Sequence, residues 1–370
     1  MRLNTRAWPD LGWLTILTGL TVAVTAAASM LGERAGVPVA DIYLLYVGGT
    51  WLLALAFLLL TSIVASTILI ARGERHPLKS MRAGCSKRLC SFGEAASTLG
   101  PLLLLPLIMA GFNVLKQLIP VYAPFSWDDT WAELGRIICL GWTPWQLTHA
   151  VFGSGLGTVF LDRVYFAWLL LLFLVIPFFA FAAPPLLRAR FFISFAASFV
   201  LIGLVGAYLF SSAGPCFAAR IGAASASNYV ELMTRLHAID AAGYHLSAVF
   251  SQEYLWQAHK HGVFGFGLGI SAMPSMHNAI AMLYALASRR LRWQARLGAS
   301  IFAALILIAS VHLGWHYLSD GLVAWIFMYG IWRASGGYLR WSGYEHAVTP
   351  RPGPVLVTLE GQRLSIPLAA

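Results

Sequence analysis

The stretch that decides the fold is SAMPSMHNAIAMLYALASRRLRWQARLGASIFAALILIASVHLGWHYLSDGLVAW, Ser271 to Trp325. Two apolar runs, Pro274–Arg290 and Leu297–Trp315, flank the basic turn SRRLRWQAR, and a third begins at Ser319. A run of roughly 20 mostly apolar residues spans a bilayer as a helix. The segment therefore reads as a membrane hairpin followed by a further span. Histidines sit at its rims. His277 opens the first run, while His312, His316 and Asp320 recur at spacing four near the end of the second. On one continuous helix these three would share a face; if Gly314–Ser319 breaks the helix, Asp320 instead starts the next one.

The rest of the chain extends this pattern. Of its 370 residues, 59% are hydrophobic and only 11% are charged, against about 25% charged in soluble domains. Further spans are expected at Leu11–Leu31, Ile42–Ile70, Ala95–Leu115, Val164–Ala182 and Phe191–Ser212, with a short last one at Ser319–Trp332. The fold class is thus an all-α integral membrane protein: a polytopic helical bundle of about eight transmembrane helices, with outer loops and short interfacial helices. The first apolar run exceeds the about 7–15 residues of a signal sequence and reads as an uncleaved anchor.

Eight spans put both termini on one side. Eighteen of the 25 Lys and Arg fall on that side and seven on the other, so the positive-inside rule places the termini in the cytoplasm. The net charge of +10 follows mostly from topology, and no nucleic-acid partner is expected. Cys85 and Cys90, in CSKRLC, lack a neighbouring histidine and do not form a zinc motif. Cys139 and Cys216 both fall on the outer side, where a disulfide is possible.

Three regions are expected: membrane helices over 1–190 with an interfacial loop at 116–163, a core over 191–336 with an outer loop at 213–273, and a cytoplasmic tail over 337–370, loosely ordered from Arg333 onward. The first loop carries FSWDDTWAELGRIICLGWTPWQL, whose tryptophans suggest an interfacial helix and a re-entrant turn. In the second, Asn228–Ala242 reads as an amphipathic helix with Leu232, Leu236 and Ile239 on one face.

Topology brings the histidines together. Span seven climbs about 30 Å over its length and returns His316 to the level of His277. Ionisable groups in a membrane mark function by default. PSMH followed by HLGWHYLSD resembles the type 2 phosphatidic acid phosphatase superfamily, whose late motifs read P-S-G-H and S-R-x5-H-x3-D. Met276 stands in place of that glycine, and Ala309 and Ser310 in place of Ser-Arg. The family's first motif, K-x6-R-P, is not intact: KQLIPVYAP, Lys116–Pro124, has Ala123 at the arginine position and lies two spans too early. Where that motif belongs, the chain reads SSAGPCFAAR, Ser211–Arg220. Loss of these cations and the GISAMPSMHNA context resemble the inositol phosphorylceramide synthase-like branch.

The resemblance implies a lipid phosphatase or phosphotransferase acting on a lipid phosphate at the outer leaflet, with water or an alcohol as acceptor and no metal or other cofactor. It implies His316 as nucleophile through a phosphohistidine, Asp320 as its orienting carboxylate and His277 as acid and base. Ser275 and the first N–H groups of span six are expected to face the phosphate. Arg220 is the first choice for the missing cation, with Arg136 and Lys116 behind it. His312 is a substrate contact or a buried structural histidine, and Asp128 and Asp129 bind a polyol head group or cap a helix. The expected location is a bacterial inner membrane, with the active site on its outer side; the sequence leaves oligomeric state open. Two other readings stand beside this one. A metal-dependent membrane enzyme would use His277, His312, His316 and Asp320, and a transporter would show broken helices in matching halves.

Overall fold

The computed structural model describes residues 8–80, 91–348, 355–359 and 362–366; Cys85 and Cys90 lie outside them. Twelve helices of eight residues or more are described: α1 (Trp8–Arg34), α2 (Val39–Ala71), α3 (Phe92–Gln117), α4 (Asp128–Ile138), α5 (Pro144–Phe152), α6 (Gly155–Ala182), α7 (Pro185–Leu209), α8 (Val230–Ile239), α9 (Ser247–Lys260), α10 (Met276–Ser288), α11 (Trp293–His312) and α12 (Leu318–Trp341). A short hairpin pairs Val355–Leu359 with Gln362–Ile366.

Among the described residues six helices are long and apolar enough to cross a membrane: α1 from Leu11, α2, α3, α6, α7 and α11. Their exposed faces are apolar. Leu52, Leu55, Leu60 and Ile63 of α2 are all more than half exposed, a continuous surface that only lipid or protein can cover. The other two expected spans differ. α12 has 24 residues and carries Asp320, Arg333 and Arg340. α10 has 13 residues, or about 20 Å at 1.5 Å each, short of a bilayer core. It is instead the centre of the bundle. Ala279, Ile280, Ala281, Leu283 and Ala287 are fully buried, as expected for a helix apolar on every side, and its alanines let α7, α11 and α12 pack closely around it.

The second alternative for the late histidines holds. α11 ends at His312, and Gly314 takes φ +73°, a left-handed turn that glycine adopts without strain. α12 then begins at Leu318, with Asp320 in its first turn. It continues through Trp341, into the stretch read as tail, so no loosely ordered segment begins at Arg333.

The two long loops gather at the same end of the bundle as this turn. α4 and α5 replace the expected interfacial helix and turn; α5 is opened by Thr143, Pro144 and Gln146, with Thr143 N–H donating to Gln146 Oε1 (3.1 Å). α8 buries Leu232 and Leu236 as its amphipathic pattern requires, with Ile239 half-buried. α9 had no comparable signal. Three aspartates tie the loops together. Asp128 accepts from Ala213 N–H and Gly214 N–H, Asp129 from Ala224 N–H and Ser225 N–H, and Asp162 from Ser247 N–H and Ala248 N–H. Each serves the start of a helical turn, where free N–H groups favour a carboxylate. Cys139 and Cys216 are both free thiols, so the disulfide is not formed; Cys216 is buried, and burial pushes its thiol upward in pKa.

Candidate active site

α10 opens on Ser275, whose hydroxyl accepts from Asn278 N–H (3.4 Å) and from Asn278 Nδ2 (3.1 Å). Asn278 Nδ2 also donates to Ser310 Oγ (3.2 Å), at the position where the family pattern has arginine. Ser275 N–H donates to the carbonyl of Asp320 (3.2 Å), locking the two motif segments together. The serine hydroxyl is thus a helix cap. The N–H groups of Met276 and His277 follow it in the first turn, where no intrahelical acceptor exists.

His277 and His316 face each other with ring centroids 6.0 Å apart. His316 is 6% exposed, and its Nδ1 lies 3.4 Å from Asp320 Oδ2, long for a hydrogen bond but close enough to orient the ring. Asp320 is fully buried and also accepts from Tyr317 N–H (2.9 Å). His277 stacks on Tyr165 at 4.5 Å and lies against Trp168 at 4.3 Å. Both aromatic residues come from α6. Nothing in the sequence marks them, because an aromatic on an apolar span looks the same whether it meets lipid or a histidine.

The histidines line a cavity of about 360 Å³ between α3, α6, α7 and α10. Asn113, Lys116, Ser251, Ser271, His277 and His316 supply its polar lining, and the rest is mostly apolar, including Met109, Phe112, Leu169, Leu172, Phe173 and Phe199. Among the described residues no carboxylate pairs with Lys116. A mostly apolar lining that includes one lysine and two histidines fits an amphiphile better than a sugar or nucleotide.

The other expected site residues lie elsewhere. Arg220 binds Glu253 and lies over the Trp256 ring at 5.3 Å, outside the cavity. Arg136 pairs with Glu133 at 3.0 Å. Asp128 is buried and accepts from Tyr317 O–H (3.0 Å) as well as from the two backbone amides; burial raises its pKa against those bonds. Asp129 is held below the usual carboxylate range by Ser225. Both carboxylates are therefore engaged by the protein itself. His312 is fully buried and stacks on His149 at 3.8 Å. His149 Nε2–H donates to the His312 carbonyl (3.0 Å), and His312 Nε2 lies 3.0 Å from Thr158 Oγ1. Burial holds His149 below its ordinary pKa. His312 thus follows the structural alternative, and the four-residue set needed for the metal reading is not assembled. Among the described residues no three His, Cys, Asp or Glu side chains form a group that could hold a metal ion.

A family model described as the PAP2 superfamily matches residues 132–334, more than half of the chain. The match takes in α5 to α11 whole and leaves out α1 to α3, the helices that supply Lys116 and one wall of the cavity. No curated protein matches the chain. No solved structure matches it either.

Proposed function

We propose that this chain, which belongs to the PAP2 superfamily, cleaves the phosphate ester of a membrane lipid through a phosphohistidine on His316, and passes the phosphoryl group to water or to an alcohol. The observation that carries this reading is the single cavity that His277, His316 and Lys116 line together with mostly apolar side chains. Superfamily membership supports a phosphatase-type activity, and the apolar helices support a lipid substrate drawn from the membrane.

The geometry supports the following sequence. Asp320 holds Nδ1 of His316, leaving Nε2 as the nucleophile. Nε2 attacks phosphorus as the bond to the leaving alcohol oxygen breaks, and His277 gives that oxygen its proton. Water or an acceptor alcohol then loses a proton to His277 and attacks phosphorus, and the P–N bond breaks. Lys116 and the first-turn N–H groups of α10 face the phosphate oxygens, where preorganised charge is most effective. Lys116 thereby serves in place of the missing family cations, in preference to Arg220. With the positive-inside asymmetry, the cavity faces the outer side of a bacterial inner membrane and the termini are cytoplasmic. The departures from the hydrolase motifs favour transfer, as in the inositol phosphorylceramide synthase-like branch.

The test incubates detergent-purified protein with lipid phosphates and phosphodiesters, with and without polyol acceptors, beside His316→Ala, and follows products by mass spectrometry. Free phosphate from the parent alone means hydrolysis, and a new acceptor-linked product means transfer. Equal product from parent and variant refutes the reading.

A further inference from the structure

At the opposite end of the bundle from the histidines, three arginines converge. Arg190 in the first turns of α7, Arg290 just past α10 and Arg340 near the end of α12 line one small cavity of about 20 Å³, together with Leu187, Gly336 and Glu345. Among the described residues no carboxylate oxygen lies within ion-pair distance of any of the three guanidiniums. Arg190 is held in place: its Nε and one terminal nitrogen donate to the Trp332 carbonyl (3.1 and 2.8 Å), and its guanidinium lies 4.1 Å from the centre of the Trp332 ring. Gly336 makes this position possible, since a Cβ there would stand 2.7 Å from Arg190 Cζ. Glu345 offsets one of the three positive charges, and the excess that remains around the cavity repels unless a further anion joins it.

We propose that this cluster is a binding site for the phosphate of an anionic phospholipid head group, in the leaflet opposite the one that supplies the histidine cavity. Guanidiniums in a planar fork suit phosphate oxygens. The cavity has room for about one oxygen atom, so the anion reaches one oxygen inward and leaves the rest at the rim. That geometry fits a head group whose chains lie along the bundle better than an enclosed free ion. Trp341 beside Arg340 is 84% exposed, as aromatic residues at the level of lipid head groups are.

The test titrates purified full-length protein with phosphatidylglycerol and counts retained lipid by native mass spectrometry. Lys116→Met is present in every sample, so that the lysine of the histidine cavity does not contribute. Three changes are compared in that background. Arg290→Ala with Arg340→Ala removes two of the guanidiniums. Gly336→Ala displaces Arg190 without changing charge. Arg292→Ala with Arg296→Ala removes the same charge from residues outside the cavity. The expected result is a loss of lipid affinity of about tenfold or more for the first two, the size of one lost charge-assisted hydrogen bond, and a change within about twofold for the third. An equal loss in the Arg292/Arg296 pair would mean diffuse attraction and overturn the site. So would unchanged affinity in the Arg290/Arg340 pair, which also decides the matter if Gly336→Ala fails to fold. Displacement of the lipid by inorganic phosphate at matching concentrations would make the ligand a free anion and overturn the head-group assignment.

Discussion

Asp128→Ala separates a structural aspartate from a ligand-binding one. Asp128 is 3% exposed and accepts from Ala213 N–H at 3.0 Å, Gly214 N–H at 2.8 Å and Tyr317 O–H at 3.0 Å. Alanine strands all three donors. A buried donor left without a partner costs about 1–3 kcal/mol, and water entering the vacated space recovers part of that. The sum is about 3–5 kcal/mol, the range for breaking a buried charged contact. The loss falls on the turn that carries His316, because Tyr317 follows it directly and Ala213 lines the cavity. Thermal unfolding in detergent should therefore drop by roughly 5–10 °C, and turnover should fall with every lipid and every acceptor. Asp128→Asn, which keeps an acceptor oxygen, should lose about half as much stability. If Asp128 instead bound a polyol head group, the alanine variant would keep its midpoint and lose only acceptor-dependent product. That outcome would make Asp128 a ligand-binding residue and not a structural one.

Other expectations follow from the same geometry. Lys116→Met should lower kcat/KM by about 10–150-fold, the equivalent of about 1.5–3 kcal/mol for one charge-assisted contact, while Arg220→Met should stay within a few-fold; steady-state kinetics on one lipid phosphate compares them. Leu172→Trp, in the apolar wall, should favour short-chain over long-chain substrates without abolishing turnover of the former. Acid should loosen the loop cap in two stages, read by hydrogen exchange against pH. The buried His149 has a lowered pKa, so its contribution is complete above the ordinary histidine value of about 6.5 and falls away as pH drops below it. Asp129, also lowered, contributes above the ordinary carboxylate value and loses its hold on Ala224 and Ser225 as pH falls through its folded value.

Much of the candidate site is legible in the sequence because it is local. The spacing of His316 and Asp320, the proline and serine before His277, and Gly314 all act within a turn of the residues they position. The pairing of the two stretches follows from two adjacent antiparallel helices, α10 and α11. What was not legible depends on packing between distant helices. Chain order favours Arg220, which follows span five, over Lys116, yet Arg220 pairs with Glu253, 33 residues further on, outside the cavity, and it is Lys116 of α3 that lines it. Tyr165 and Trp168 were hidden for the same reason: nothing in α6 says which side meets α10. The span at α10 was overestimated because hydropathy registers burial and cannot distinguish protein from lipid as the surrounding medium. Asp128 and Asp129 were open between two roles that differ only in whether backbone amides from another loop arrive first.

If His316 carries the phosphoryl group, the group should be recoverable from that side chain. His277→Ala removes both the acid for the leaving oxygen and the base for the second acceptor, so with a lipid phosphate ester whose leaving group needs no protonation the intermediate should form and then persist. Purified His277→Ala protein, mixed with such an ester, quenched at alkaline pH and digested, should yield an acid-labile phosphoryl group on the peptide containing His316, absent when His316→Ala is added. A phosphoryl group on another residue, or turnover in the parent with no phosphopeptide under any quench, would mean that His316 is not the nucleophile.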